Sequence, residues 1–397
     1  MADEAGRQVT ALLSGPGQEL LARLAREEFT PDSTLALAAR LRREYPAELA
    51  AAAMAQHQLR LAARAKFSRA MRMLFTRAGL EQASAEVTAH HRARRYAGAG
   101  RLADLGCGIG GDLTVLAAGR EVLAVDRDVV HLRMAVHNAG VYDSADGLRA
   151  CAADVRDLDL AGVDAVFADP ARRTGGRRLR AGASEPPLAW CFALATRVSA
   201  VGIKAAPGLP PEIVPAGWEI EFIADGRDLK EAMLWSPGLA TAARRATILP
   251  AGDTLLPAPG PEVQIAGPGE YLLDPNPAVT RAGLVADLAR QLGAWKIDAQ
   301  IAFLSTGTDQ RTPFARTLRV IESAPWNEKQ FARRLRALGV GAADLRRRGL
   351  AGDVDQIHRR LKLDGPHRAT VVLTRVNDKP WGLICAEPHL AFPASNP

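Results

Sequence analysis

Between Gly100 and Pro250, short apolar runs alternate with stretches whose apolar residues recur at helical spacing, the rhythm of parallel α/β units. Strands are predicted at "RLADL", "EVLAV", "RACAA", "DAVFA", "VSAVGIK" and "WEIEFIA". The text before Gly98 differs. It is rich in Ala, Leu, Arg and Glu, nearly free of strand formers, and predicts helices. In "TPDSTLALAARLRREY" Thr30 is the expected cap, Pro31 falls in the first turn, and Leu35, Leu37 and Leu41 are expected on or near one face. Tyr45-Pro46 restarts the pattern, which runs on through Leu59, Leu61 and Phe67. Most of this segment reads as packing rather than chemistry.

"PAGDTLLPAPGPEVQIAGPG" is dense in Pro and Gly and reads as a linker. Beyond it "PNPAVTRAGLVADLARQLGAW" reads as a helix. Then "RTLRVIESA" reads as a strand, "NEKQFARRLRALG" as a helix, "AADLRRRGL" as a strand, "DVDQIHRRLKL" as a helix and "RATVVLTRV" as a strand. That βαβαβ order predicts a small α+β sheet covered by helices on one side. Four segments are expected: helices over 1–98, an α/β domain over 99–250, a linker over 251–269 and an α+β domain over 270–397.

Composition narrows the function classes. Of 397 residues, 48% are hydrophobic and 24% charged, the balance of a globular protein. No apolar stretch approaches the roughly 18 residues that span a bilayer, so no membrane partner is expected. The opening "MADEAGRQVTALL" carries acids early and lacks the cationic start of a secretory signal. Cys107, Cys151, Cys191 and Cys385 are scattered without a C-x-x-C pair, which argues against a disulfide framework or zinc site and fits a cytoplasmic protein. The eight histidines show no H-E-x-x-H or paired ligand spacing, so no metal is expected. The net charge of +7 gathers in arginine clusters: "HHRARRY", "RRTGGRRLR", "RRLR" at Arg333 and "RRR" at Arg346. Such clusters suit an anionic partner, nucleic acid first; a solvated basic surface is the plain alternative.

"RLADLGCGIGGDLTVLA" sets a strand, then Gly106, Gly108, Gly110 and Gly111, then a helix, so a ligand can lie on bare backbone. Gly106, Gly108 and Gly111 fit dinucleotide spacing, whereas Gly106, Gly108 and Gly110 fit the tighter loop of methyl donors. Three acids decide between them. Asp104, two residues ahead of the loop, complements the ammonium group of S-adenosylmethionine. Asp126, closing "EVLAVD", suits a ribose diol, and Asp154 in "CAADVRDL" suits the adenine amino group. Any one of them alone could be a helix cap or surface charge. Each, however, falls at a strand's C-terminal end, where open parallel sheets bind ligands.

"LADLGCGIGGD", "AVDRD", "AADVRDL" and "FADPAR" resemble the first four motifs of the class I S-adenosylmethionine-dependent methyltransferases. More narrowly, "LEQASAEVTAHHRARRY" with "FADPARRTGGRR" resembles the bacterial relatives of the trimethylguanosine-synthase-like methyltransferases. "YLLDPNPAVTRAGLV", "IAFLSTG" and "LRRRGL" are similar to the THUMP-like domain that accompanies them. The resemblance implies an α/β fold: a Rossmann-like class I methyltransferase sheet, an N-terminal helical segment and a C-terminal α+β THUMP-like domain. It implies S-adenosylmethionine as cofactor, held by Asp104, Gly106, Cys107, Gly108, Gly110, Asp112, Asp126, Arg127, Asp154 and Val155.

The same resemblance places Asp169 and Pro170 at the fourth strand tip, with Ala171 and Arg172 completing the catalytic motif. In relatives that methylate nitrogen this motif reads Asp/Asn-Pro-Pro-aromatic; the acid accepts from the amine and the proline fixes the turn. Here Ala171 replaces the second proline, and Arg172 stands where the aromatic stacks on a base. Arg173, Arg177 and Arg178 then read as an anion-binding loop, and Lys204 as a substrate contact from the next strand tip. Methylation at carbon 5 of a pyrimidine needs a thiolate, but Cys151 and Cys191 read as core residues. The leading expectation is N-methylation of an RNA nucleotide in tRNA or rRNA. The alternatives are a methyltransferase for a protein or small anionic metabolite, and an RNA-binding protein without turnover.

Overall fold

A computed structural model of the chain describes residues 2–27, 31–171, 173–174, 177–178, 184–350, 353–389 and 392. It divides into two units, Met1–Ile220 with Glu231–Thr241, and Glu221–Lys230 with Ala242–Pro397. The first unit opens with four helices: α1 (Ala2–Leu13), α2 (Gly15–Leu24), α3 (Pro31–Glu44) and α4 (Ala47–Ala63). Ser14 caps α2 by accepting from the Gly17 N–H at 3.3 Å. Leu37 and Leu41 are buried in the core, whereas Leu35 is 80% exposed. That corrects the expected shared face: two residues of helix turn a side chain about 200°, away from Leu37. Thr30 lies outside the described residues.

These helices share one apolar core with the sheet-forming part of the unit. Leu20, Leu24, Leu41 and Phe67 cluster with Ile109, Met134 and Val141. Two short helices, α5 (Arg77–Gln82) and α6 (Glu86–Ala93), then lead into the first strand.

The strands are β1 (Arg101–Leu105), β2 (Glu121–Asp126), β3 (Leu148–Ala152) and β4 (Ala165–Ala168), interleaved with α7 (Leu113–Leu116) and α8 (Val129–Val141). A small ladder, β5 (Arg173–Thr174) with β6 (Arg177–Arg178), follows. Then come α9 (Leu188–Ala193), β7 (Ala200–Ala205), β8 (Glu219–Asp225) and β9 (Asp228–Trp235). β3, β2, β1, β4 and β7 lie side by side and parallel. Their C-terminal ends therefore share one edge. β1 is buried beyond its first residue and β4 throughout, as strands of a parallel sheet covered on both faces should be. β9 runs antiparallel to β7, with Gly202 opposite Trp235 and Ala205 opposite Ala232. The sequence reading missed β9, because Asp228, Lys230 and Glu231 interrupt its apolar pattern.

In the second unit β10 (Arg244–Leu249) and β11 (Asp253–Leu255) pair antiparallel, so the stretch read as a linker begins with a strand. The THUMP-like region has β12 (Tyr271–Pro275), α10 (Pro277–Ala282), α11 (Val285–Leu292), β13 (Trp295–Lys296) and β14 (Leu304–Thr306). It continues with β15 (Ala315–Pro325), α12 (Glu328–Ala337), β16 (Val340–Arg347), α13 (Val354–Leu361), β17 (His367–Val376) and β18 (Lys379–Ala386). Among the described residues seven strands form one sheet in the order β13-β14-β12-β15-β18-β17-β16, where the periodicity gave three. β16 pairs parallel with β17, and the other neighbouring strands pair antiparallel.

The predicted single helix after Pro275 breaks in two at Gly283, which takes a left-handed φ of 69°. Asn377 and Asp378, at φ 48° and 67°, make the two-residue turn that folds β18 back on β17. Side chains alternate across this sheet. Val371 and Leu373 pack under α12 and α13, while Val372 faces Ile297, Phe303 and Leu318. Both helices thus cover one face, and an irregular segment covers the other. No helix among the described residues is long and apolar enough to cross a membrane.

Candidate active site

The C-terminal ends of β1, β2, β3 and β4 open onto one cavity of about 470 Å³. The turn after β1 is shaped by its glycines. Gly106 adopts φ +86°, and a Cβ there would stand 2.9 Å from the backbone oxygen of Asp169. Gly108, at φ +52°, also lies in the left-handed region. Both line the cavity with Cys107 and Asp112. Gly110, at φ +80°, points instead at α8, where a Cβ would meet the Ala135 Cα at 2.8 Å. Its place is at the packing of loop on helix.

Asp104, near the end of β1, is 1% exposed, and neither carboxylate oxygen has a hydrogen-bond partner among the described residues. Burial pushes its pKa well above the usual carboxylate range, and the charges of Asp112, Asp169 and Asp126 add to the shift. A cationic ligand group would supply what this acid lacks.

At the end of β2, Asp126 Oδ2 accepts from the Gly108 N–H and Oδ1 from the Asp128 N–H, each at 2.8 Å. Two backbone donors thus fix its carboxylate at the cavity wall beside Arg127. Asp154, just past β3, lines the cavity with Val155. Arg156 engages both of its oxygens, Nε at 2.9 Å and Nη2 at 2.6 Å, and holds its pKa down to about 2. Arg156 also reaches Glu185 at 3.1 Å, so any group meeting Asp154 shares it with this arginine.

Asp169 follows β4, its N–H donating to the Leu105 carbonyl at 3.1 Å. One oxygen, Oδ2, accepts from Lys204 Nζ at 2.8 Å. Lys204 also donates to Ser84 Oγ at 2.9 Å and is itself buried. Burial works against its charge, but Asp169, Asp112 and Glu231 outweigh that and raise its pKa. Pro170 and Ala171 line the cavity, and Ala171 pairs through its backbone with Glu185. Arg172 lies outside the described residues, and for Arg173, Arg177 and Arg178 only the backbone ladder is described.

Several lining residues escaped the sequence reading. Gly79, Glu81, Gln82 and Ala83 bring the N-terminal segment to the cavity, and α9 brings Trp190. The segment read as mostly packing therefore closes one wall; the signal for it lies within the quoted "LEQASAEVTAHHRARRY". Lys66 anchors that wall, donating to the carbonyls of Leu80 at 2.7 Å and Ala83 at 2.9 Å. Arg92, counted above in a basic cluster, is 1% exposed and pairs with Asp112 and Glu231. Arg95 pairs with Glu219 at 2.7 Å. These two arginines neutralise internal acids, so they are not part of an anion-binding surface. No cluster of potential metal ligands occurs among the described residues.

A parallel sheet whose first strand ends in a left-handed glycine turn, with acids at successive strand tips, defines a Rossmann-like cofactor-dependent α/β enzyme. Comparison with known proteins narrows this. Residues 99–180 match the family model described as RNA cap guanine-N2 methyltransferase, and residues 315–387 match the THUMP domain-like model. Residues 6–63 match a domain of unknown function. Over 313 residues the chain is 39% identical to an uncharacterized S-adenosylmethionine-dependent methyltransferase of Mycobacterium tuberculosis strain H37Rv, covering 76% of this chain and 85% of that protein. The strain CDC 1551 protein matches to the same extent. A crystal structure described as a methyltransferase from Porphyromonas gingivalis W83 shares the fold, with TM-score 0.71 and 19% identity over 93% of this chain and 100% of that one. The chain belongs to the S-adenosylmethionine-dependent methyltransferases. Its own residues fit that cofactor: the unpaired Asp104 suits the ammonium, and Gly106 leaves the backbone bare where a side chain would intrude.

Proposed function

We propose that this enzyme methylates a nitrogen of an RNA nucleotide, with the THUMP-like domain holding the RNA. S-adenosylmethionine, when bound, supplies an electrophilic methyl group on a sulfonium. The observation that carries the reading is Asp169, a carboxylate at the β4 tip in the same cavity as the unpaired Asp104, with Oδ2 taken by Lys204. Its other oxygen is left to accept an N–H of the acceptor, which orients the nitrogen lone pair. Orientation of this kind recovers on the order of 7–11 kcal/mol of barrier.

The thiols support nitrogen over pyrimidine carbon 5. Cys107 and Cys191 are the cysteines lining the cavity, and burial raises both pKa values, that of Cys191 to about 12. Neither presents the thiolate that carbon methylation needs. RNA as substrate is favoured by the printed description of the family model over 99–180 and by the THUMP-like match. It is favoured too by exposed Arg333 on α12 and by exposed His358, Arg359 and Arg360 on α13. For the whole chain we keep the four-segment division at 98, 250 and 269 as the working boundaries.

The test is incubation with tritiated donor and tRNA or rRNA from a strain lacking the gene, followed by nucleoside mass spectrometry. Label in a methylated base nitrogen is expected. Label that enters only protein or small anions, together with salt-insensitive RNA binding, would replace this reading with the alternative acceptors.

A further inference from the structure

We propose that Lys204 is a positioning residue for methyl transfer, holding one oxygen of Asp169 so that the other faces the acceptor nitrogen. The inference rests on the nitrogen-acceptor reading above. It departs from the expectation of Lys204 as a direct substrate contact. The ammonium is enclosed, its side chain 7% exposed against 29% for Asp169. Two of its three N–H donors are placed, on Asp169 at 2.8 Å and on Ser84 at 2.9 Å.

Asp169 needs such a partner. The terminal torsion of an aspartate is broad, so a carboxylate at a strand tip has no preferred plane without a fixed donor. Lys204 supplies that donor from the adjacent strand, and its own position is fixed in turn. The charge of Asp112 also acts on the Lys204 ammonium, Asp112 pairs with Arg92, and Arg92 pairs with Glu231. The chain of contacts joins the β4 tip, the β7 tip, the glycine turn, α6 and β9. The signs of its charged members alternate through Asp169, Lys204, Asp112, Arg92 and Glu231. Asp104 is the acid beside it that lacks a partner, consistent with a place kept for a ligand cation. Because small displacements of reacting groups cost about 100-fold in rate, losing this tether should appear in turnover rather than in donor affinity.

The experiment is a double-mutant cycle in the full chain, with labelled donor and RNA from a strain lacking the gene. Lys204→Met, Asp169→Asn and the pair are compared for kcat at saturating donor, and for donor Kd by calorimetry. Lys204→Met is expected to lower kcat about 100-fold with Kd within threefold, and the double variant to match the worse single one. Ser84→Ala, which removes only the second anchor, is expected to lose about tenfold in kcat, and it covers the case where Lys204→Met fails to fold. Additive losses, or a weakened Kd at unchanged kcat, would overturn the positioning role alone. Absence of label with the wild type would overturn the RNA reading and this inference with it.

Discussion

Arg92 and Asp112 form a buried ion pair that joins α6 to the glycine turn of the cofactor site. Glu231 holds the other terminal nitrogen of Arg92, and the guanidinium lies 5.5 Å from the Phe167 ring centroid. Removing the cation leaves two buried acids facing each other, which typically costs about 3–5 kcal/mol. Arg92→Met should therefore shift the denaturant midpoint far below wild type. A loss of unfolding free energy under about 1 kcal/mol, midpoint shift times slope, would mean that the acids are solvated in the variant and that the pair is not structural.

Gly106 offers a sharper local test. Alanine there would need a left-handed backbone and would stand 2.9 Å from the Asp169 oxygen. We expect Gly106→Ala to cost about 1–3 kcal/mol and to weaken donor binding at least tenfold, since the turn and the β4 tip must separate. Calorimetric titration of the folded variant checks this; wild-type affinity would show that the turn tolerates a side chain.

Asp104 predicts two pH dependences of opposite sign. Its carboxyl is raised by burial first and by neighbouring acids second, so a ligand cation arriving beside it favours ionisation and expels a proton. Donor affinity should rise with pH through this raised pKa, then fall above about pH 8 as the ligand's amino group loses its own proton. Stability runs the other way. The contribution of Asp104 is fully present below its unfolded pKa, near ~3.9, and is lost as pH rises through the folded value. Asp104→Asn should raise the apo Tm by an amount that grows as pH rises through the folded carboxyl's raised range, while weakening donor binding at least ~100-fold. Calorimetry in buffers of different ionisation enthalpy would report the proton release, and a melting series from acid to alkaline pH the stability. A Tm gain that never grows with pH would contradict the assignment.

The cysteines give a negative control. With both thiols pushed up by burial, iodoacetamide at pH 8 should leave Cys107 and Cys191 unmodified in the folded protein. Cys191→Ala should keep transfer within threefold. Rapid alkylation coupled to loss of turnover would point to a thiolate mechanism instead.

What the sequence made legible follows from how local each signal was. The acids Asp104, Asp126, Asp154 and Asp169 each close or follow a short apolar strand, so the parallel topology brings them to one edge, and all line the cavity. Asp154 lines the cavity, and its engagement by Arg156 depends on a side-chain choice two residues away. Gly110 fits the motif spacing, and its close approach to Ala135, 25 residues later in the chain, is not contained in that spacing. Arg92 looked like surface charge because its partners, Asp112 and Glu231, come from distant positions. The missed strands are likewise tertiary: β9 and β18 satisfy neighbours rather than their own propensity.

The central claim is that one cavity at these strand ends cradles the donor between Asp104 and Asp169. The most direct test is a crystal structure of the chain with S-adenosylhomocysteine. We predict its amino group on Asp104, its ribose on Asp126 and its sulfur toward Asp169. A ligand bound away from β1 and β4, with Asp104 still unpaired, would contradict the account.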